Sequence, residues 1–354
     1  MKLIQDVLHE LARLARTDRT VLSAYLTLAD GWHAATDFIA KEAARLTPFL
    51  DAGERDYFEG SLSFLADYVD GKKAKGYAGP GLAFFADLGA DFVRGVELVA
   101  PPRPLLAVDD EAVIAPLALQ LDEYQPVGVI TVDAAGAKIY IAAGRVAAEE
   151  DALRGNIRHL SKAGGWSQMR YQRHRDKEVK DFAGEVAARA EEIFAAEGAS
   201  RILLAGRDRM VAAVEEELSP AWRDRVVGTV RWDLDARDDE LLAKIRPVLE
   251  EAERDEEAKL LERFAGEFRR GGLAVAGAEA AERALQMGAA DTVLIGKAFY
   301  QAAPGAPEVV EKLASLAEVT GAHVSFVPEE GGALARGGHV GALLRFRISP
   351  DDDT

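Results

Sequence analysis

Val127-Gly128-Val129-Ile130-Thr131-Val132-Asp133-Ala134-Ala135-Gly136-Ala137-Lys138-Ile139-Tyr140-Ile141-Ala142 contains two short apolar runs around a turn. Val127 to Val132 reads as a buried strand, Asp133 to Gly136 as the turn, and Ala137 to Ala142 as the returning strand of a hairpin. Pro126, just ahead of it, marks a boundary. Downstream, Val179, Phe182, Val186, Ala190 and Phe194 recur at helical spacing and predict one long amphipathic helix over 177–196. A strand over 201–206 ending on a glycine, a helix over 208–218 and a strand over 226–230 follow. Strands and helices interleaved in this way argue for an α/β domain from about residue 124 to 235.

Further outward the pattern changes twice. Residues 235–268 form a charged helical connector whose stripe is Leu241, Leu242, Ile245, Leu249, Leu260, Leu261 and Phe264. Beyond it α/β alternation resumes: helix 278–287, strand 292–295, helix 307–320, strand 323–326 and strand 342–346. Upstream, residues 1 to about 46 read as helical, with Val21 to Leu26 open to a short strand instead. Gly71 to Gly76, followed by Gly79-Pro80-Gly81, reads as an exposed loop, and Leu105 to Val108 leads into a helix-like run ending near Glu123. The predicted division is therefore 1–123, 124–268 including the connector, and 269–354.

Composition limits the chemistry. The chain has 354 residues and no cysteine, which excludes disulfides, thiolate metal sites and cysteine nucleophiles. Acids at Asp6 and Glu10 interrupt the N-terminus, so it does not read as a signal peptide. No apolar stretch approaches the roughly 20 residues needed to span a bilayer. A soluble, cytoplasmic protein with no membrane partner is expected.

Charge localises the candidate site. The net charge is −17, from 43 Lys and Arg against 60 Asp and Glu. An acidic molecule repels nucleic acid at long range, so RNA contact requires a local basic concentration. One exists at Arg154, Arg158, Lys162, Arg170, Arg173, Arg175, Lys177 and Lys180, opposed within that window only by Asp176 and Glu178. His159 and His174 lie in the same stretch. At its centre is Gly164-Gly165-Trp166-Ser167-Gln168. An isolated glycine pair is ordinarily just a turn, but here the unneutralised charge around it favours phosphate contact. Paired glycines also let a backbone approach RNA closely. Trp166 on a loop tip suits base stacking, with a tryptophan folded back on its domain as the alternative.

Gly164-Gly165-Trp166-Ser167-Gln168-Met169-Arg170-Tyr171-Gln172-Arg173-His174-Arg175 resembles the Gly-Gly-Gln-Ser-x-x-Arg-Phe-x-Arg-x-Arg segment of the archaeal and eukaryotic class-I peptide chain release factors and their relative Pelota. Both glycines, the serine, three arginines and an aromatic fall in register. Ala284-Leu285-Gln286-Met287-Gly288-Ala289-Ala290 and Gly321-Ala322-His323-Val324-Ser325-Phe326-Val327 resemble the last domain of that family. The resemblance covers residues from roughly 124 to 350. It implies a three-domain architecture, with a central mixed-sheet α/β domain and a C-terminal L30e-like α/β domain that docks a translational GTPase.

Two departures set the functional expectation. Residues 1–123 carry no stop-codon-reading motif, so codon-dependent termination is not expected. Trp166 stands where the family has its catalytic glutamine, and the nearest glutamine is Gln168. A glutamine displaced in that direction is similar to the Vms-like branch, which releases nascent chains from stalled ribosomes. The chain also resembles the group of bacterial proteins related to these release factors, which includes the hibernation factor Balon.

The implied function is codon-independent release by peptidyl-tRNA hydrolysis in the ribosomal A site, next to the peptidyl-transferase centre. The alternative is a hibernation factor that occupies the A site without chemistry; a nuclease acting on tRNA ends is a third reading. The implied catalytic group is Gln168 with Gly164, Gly165, Trp166 and Ser167. The RNA-binding set is Arg154, Arg158, Lys162, Arg170, Arg173, His174, Arg175 and Lys177. Ester hydrolysis by a positioned water needs an oxyanion donor but no tuned acid or base. The histidines are not at metal-ligand spacing, and Gly296-Lys297 lacks the preceding glycine of a P-loop, so no cofactor and no metal are expected.

Overall fold

The computed structural model describes residues 2–14, 21–143, 146–154, 166–234, 236–303, 305–328 and 332–348. The fold class is mixed α/β, with three separate sheets among the described residues. The chain divides into two compact units, Gln125–Glu256 and Lys2–Tyr124 together with Glu257–Thr354.

The first residues of the larger unit run α1 (Lys2–Ala12), β1 (Val21–Thr27), α2 (Gly31–Leu46), α3 (Ala52–Ala74), β2 (Gly81–Asp87), β3 (Phe92–Leu98), β4 (Leu105–Asp109) and α4 (Ala115–Glu123). The strands form an antiparallel sheet in the order β3-β2-β1-β4. Val21 to Leu26 is thus the strand of the two readings left open. β2 and β3 lie where the sequence reading placed no element, and Leu105 begins a strand rather than a lead into a helix. Their alternation is masked because β2 is buried at every position, so no polar face interrupts its apolar run. Gly71 to Ala74 is the last turn of α3, not a loop. Asp51 and Glu54 close a capping box at the start of this helix, Phe58, Leu65 and Val69 anchor it in the core, and Lys72 and Lys73 suit its negative C-terminal end.

The central unit holds β5 (Val127–Val132), β6 (Gly136–Ala143), β7 (Val146–Arg154), α5 (Trp166–Glu197), β8 (Arg201–Gly206), α6 (Asp208–Glu217), α7 (Pro220–Arg223) and β9 (Val226–Arg231). It also takes the first part of α8 (Asp238–Arg269). The sheet order is β7-β6-β5-β8-β9, antiparallel through the hairpin side and parallel from β5 onward. Ile130, Val132, Ile202 and Leu204 face α5 and α6, whereas Val127, Val129, Leu203 and Ala205 face Trp232, Leu241 and Ile245 on the α8 side. Helices on both faces explain why β5 and β8 read as continuous apolar runs. Gly128 leaves room for a helix side chain: a Cβ there would lie 2.5 Å from the Phe194 ring.

The remaining part of the larger unit comprises the end of α8, β10 (Ala274–Ala276), α9 (Ala278–Gln286), β11 (Ala290–Gly296), α10 (Lys297–Ala302), α11 (Ala306–Thr320), β12 (His323–Val327), α12 (Ala333–Arg336) and β13 (Val340–Leu344). The sheet order is β10-β13-β11-β12, with β11 and β12 parallel. Phe264 of α8 packs with Leu294, Val327 and Leu343 on one side. The last strand ends at Leu344, short of the sequence estimate, and Phe346 is exposed.

Candidate nucleic-acid interface

The described part of the basic segment consists of the end of β7 and the first turns of α5 in the central unit. β7 pairs with β6 up to Gly136↔Arg154, which leaves Arg154 exposed at the strand end. Asp151 of β7 takes the Arg189 Nε hydrogen bond at 2.5 Å, and Arg189 also donates to Glu192 at 2.6 Å. That hydrogen bond holds the Asp151 carboxyl below its ordinary range. Arg158, His159, Lys162, Gly164 and Gly165 lie outside the described residues.

α5 begins at Trp166 and is 32 residues long, so it starts well before the helix expected over 177–196. Trp166, Ser167 and Gln168 fall in its first turn rather than on a loop. Nothing between Trp166 and Glu197 forbids the helix: the stretch has no proline, and its one glycine, Gly184, is mid-helix. The apolar stripe starts only at Val179, and that late start hid the first three turns from a reading by periodicity.

The described core residues of α5 run from Val179 to Phe194. The helical segment ahead of them is polar, and its charges sort by face. With 3.6 residues per turn, Arg170, Arg173, Lys177 and Lys180 occupy one arc of about 80° over about 15 Å of axis. The buried positions Val179, Phe182, Val186 and Ala190 lie on the opposite side. Arg173 and Lys177 are exposed and have no ion pair among the described residues. Lys180 is 72% exposed and stands 3.7 Å from Glu217.

Arg175 is different. It lies on the core-facing side, half-buried, and its Nε is buried without a hydrogen-bond partner. His174 pairs with Glu178 at 3.2 Å. Asp176 accepts from Arg209 of α6 at 2.5 Å, which ties the basic segment to the body of the unit. This anchor was not read from sequence, because Asp176 and Arg209 are 33 residues apart.

A second concavity was not read either. Gly206, Asp208, Val211, Glu215, Thr229 and Arg231 line an open cleft of about 270 Å³ at the carboxyl ends of β8 and β9. No histidine, cysteine or serine lines it. No cluster of three or more His, Asp or Glu residues able to hold a metal ion occurs among the described residues. Among those residues no helix is long and apolar enough to cross a membrane.

Residues 113–257 match the family described as bacterial archaeo-eukaryotic release factor family 10, and residues 255–348 match eRF1 domain 3. Peptide chain release factor subunit 1 of Archaeoglobus fulgidus is 26% identical over 311 aligned residues, covering 71% of this chain and 74% of that protein. The same factor from Thermococcus onnurineus is 26% identical with the same coverage. A structure titled as a model of ribosome-bound archaeal Pelota and ABCE1 matches at 17% identity and a TM-score of 0.48, covering 98% of this chain and 95% of that one. Through both family matches and the two archaeal release factors, the chain belongs to the archaeal/eukaryotic peptide chain release factor superfamily and is a release-factor-like translation factor.

Proposed function

We propose that the protein works on the ribosome, entering the A site of a stalled complex and hydrolysing peptidyl-tRNA through Gly164 to Gln168 without reading a codon. The observation that carries this reading is the basic face in the first half of α5, downstream of the glycine pair, on which Arg173 and Lys177 have no ion pair among the described residues. Arg173 and Lys177 are exposed there on an otherwise acidic chain. Such a face suits RNA phosphates, and the contact would seat the glycine pair against the acceptor end of a tRNA. Arg154, Arg158, Lys162, Arg170, His174 and Arg175 complete the proposed RNA-binding set.

The chemistry asked of the site is modest. A water attacks the ester carbonyl, and the developing oxyanion needs donors in a water-poor setting. The Gln168 amide is the proposed donor. The first N–H groups of α5 are a second source, since helix N-termini carry unpaired donors and positive dipole ends. Purified protein added to stalled ribosome–nascent chain complexes is expected to free the peptide, and Gln168→Ala to abolish release. Absence of release by the unaltered protein overturns this reading.

The presence of Trp166 at the family's glutamine position supports a second reading, in which the protein fills the A site of idle ribosomes without chemistry. It predicts co-sedimentation with vacant ribosomes that weakens steeply with salt. Retained binding by a Gly164→Ala, Arg170→Ala, Arg173→Ala variant counts against it. In either reading, the proposed partner of the last domain is a translational GTPase.

A further inference from the structure

β9 is an outer strand of the central sheet, and among the described residues it pairs with β8 only. Trp232 N donates to Gly206 O at 3.2 Å. In a parallel ladder the N–H and C=O of one residue point to the same side, and successive residues switch sides. With Gly206 opposite Arg231 and Leu204 opposite Thr229, the peptide groups of Thr229 and Arg231 therefore turn to the open edge. Such an edge is commonly guarded by mid-strand charge, a proline or a cover. β7, at the far end of the same sheet, carries Glu149, Glu150 and Asp151 in mid-strand. β9 reads Val-Val-Gly-Thr-Val-Arg, with its one charge at the end.

The two faces of β9 differ as well. Toward α8, Gly228 leaves room for Val248, whose methyl a Cβ would meet at 2.6 Å, and Val230 packs with Trp232. On the other face Thr229 and Arg231 are exposed and border the cleft at the carboxyl ends of β8 and β9. α6 forms the opposite wall with Asp208, Val211, Ala212 and Glu215, whose i, i+3, i+4, i+7 spacing puts them on one helix face. The nearby arginines are engaged elsewhere: Arg207 by Asp233, Arg209 by Asp176, and Arg223 by carbonyls at the end of α6. The carboxylates of Asp208 and Glu215 have no ion pair among the described residues. Arg231 is the single cation of the lining, against two carboxylates.

We propose that the β9 edge docks an extended, lysine- or arginine-bearing segment of a partner protein, which adds to the sheet as a further strand. The backbone of that segment pairs with Thr229 and Arg231, as in other cases of strand addition. A long basic side chain lays its apolar stem over Val211 and Ala212 and brings its charged head to Glu215 or Asp208. Two unmatched carboxylates repel phosphate, so the same cleft does not suit an RNA strand. The site uses none of the residues from Gly164 to Gln168, and it stands or falls apart from the catalytic reading.

Fluorescence anisotropy with the full chain and a short blocked peptide alternating valine and lysine tests this docking. Saturable binding is expected, about tenfold weaker when glutamate replaces lysine in the peptide. Asp208→Asn with Glu215→Gln should weaken the lysine peptide about fivefold. Thr229→Pro removes an outward N–H that β8 does not use and should abolish binding. The carboxylate variant keeps the test open if that proline disturbs β9. Equal binding of the two peptides, no binding of the lysine peptide, or binding unchanged in both variants overturns the proposal. So does a dimer of the unaltered protein in sedimentation that Thr229→Pro abolishes, since the edge would then take a second copy of this chain.

Discussion

α5 and α8 are each 32 residues long, and they cover opposite faces of the same sheet, yet they use their length differently. α5 packs through its second half, where Val179 to Phe194 line the core. α8 packs through both ends: Leu241 and Ile245 lie on the central sheet, and Phe264 lies among Leu294, Val327 and Leu343 of the last sheet. Its middle, with Glu250, Glu251, Asp255 and Glu256 exposed, is acidic. The spare turns of α5 are basic and stand at its start. Helix length alone therefore assigns no role. What matters is where the apolar stripe begins and stops, and the sign of the charge on the turns left over.

The largest effects should come from the anchors. Phe194 is fully buried against Trp222, ring centroids 6.0 Å apart, and Phe264 is 1% exposed beside Phe268. Phe194→Ala and Phe264→Ala are each expected to cost about 3–5 kcal/mol by urea unfolding. A cost under about 1 kcal/mol for Phe264→Ala would show that the far end of α8 is not an anchor and break the comparison.

Gly128→Ala should cost about 1–3 kcal/mol, because its Cβ would meet the Phe194 ring at 2.5 Å. In a Phe194→Ala background the same change should be nearly neutral. Equal costs in the two backgrounds would place the strain elsewhere.

Smaller in stability but sharper for function is charge removal from the two helices. Arg173→Ala with Lys177→Ala should alter stability by no more than about 0.5 kcal/mol. The salt dependence of binding to a short RNA stem-loop should lose about two units of log–log slope. Glu250→Gln with Glu251→Gln in α8 should leave that slope unchanged. Equal responses from both helices would remove the distinction between a presenting arm and a connector.

The central unit was legible because its signals are local. The β5–β6 hairpin, β8, α6 and β9 each carry their period or turn within a dozen residues, and the stripe of α5 is regular once it starts at Val179. The first 110 residues were not legible in the same way. β2 is buried on both faces and has no alternation to read, and β3 is an edge strand with a mixed pattern. The site divides similarly. The cluster of charge around Gly164 was plain, whereas the separation of Arg173 and Lys177 from Arg175 depends on α5 already being helical at Trp166.

By itself, the sequence determined the α/β class, the family resemblance and the concentration of positive charge in one window, since these are set by residue type and spacing. Tertiary structure alone decided that Trp166, Ser167 and Gln168 open a helix and that Arg175 turns inward. It also decided that residues 2–124 fold onto residues 257–354 through Glu311, Asp122 and Glu318. Those contacts join positions about 200 or more apart along the chain, and no local period encodes a partner at that separation.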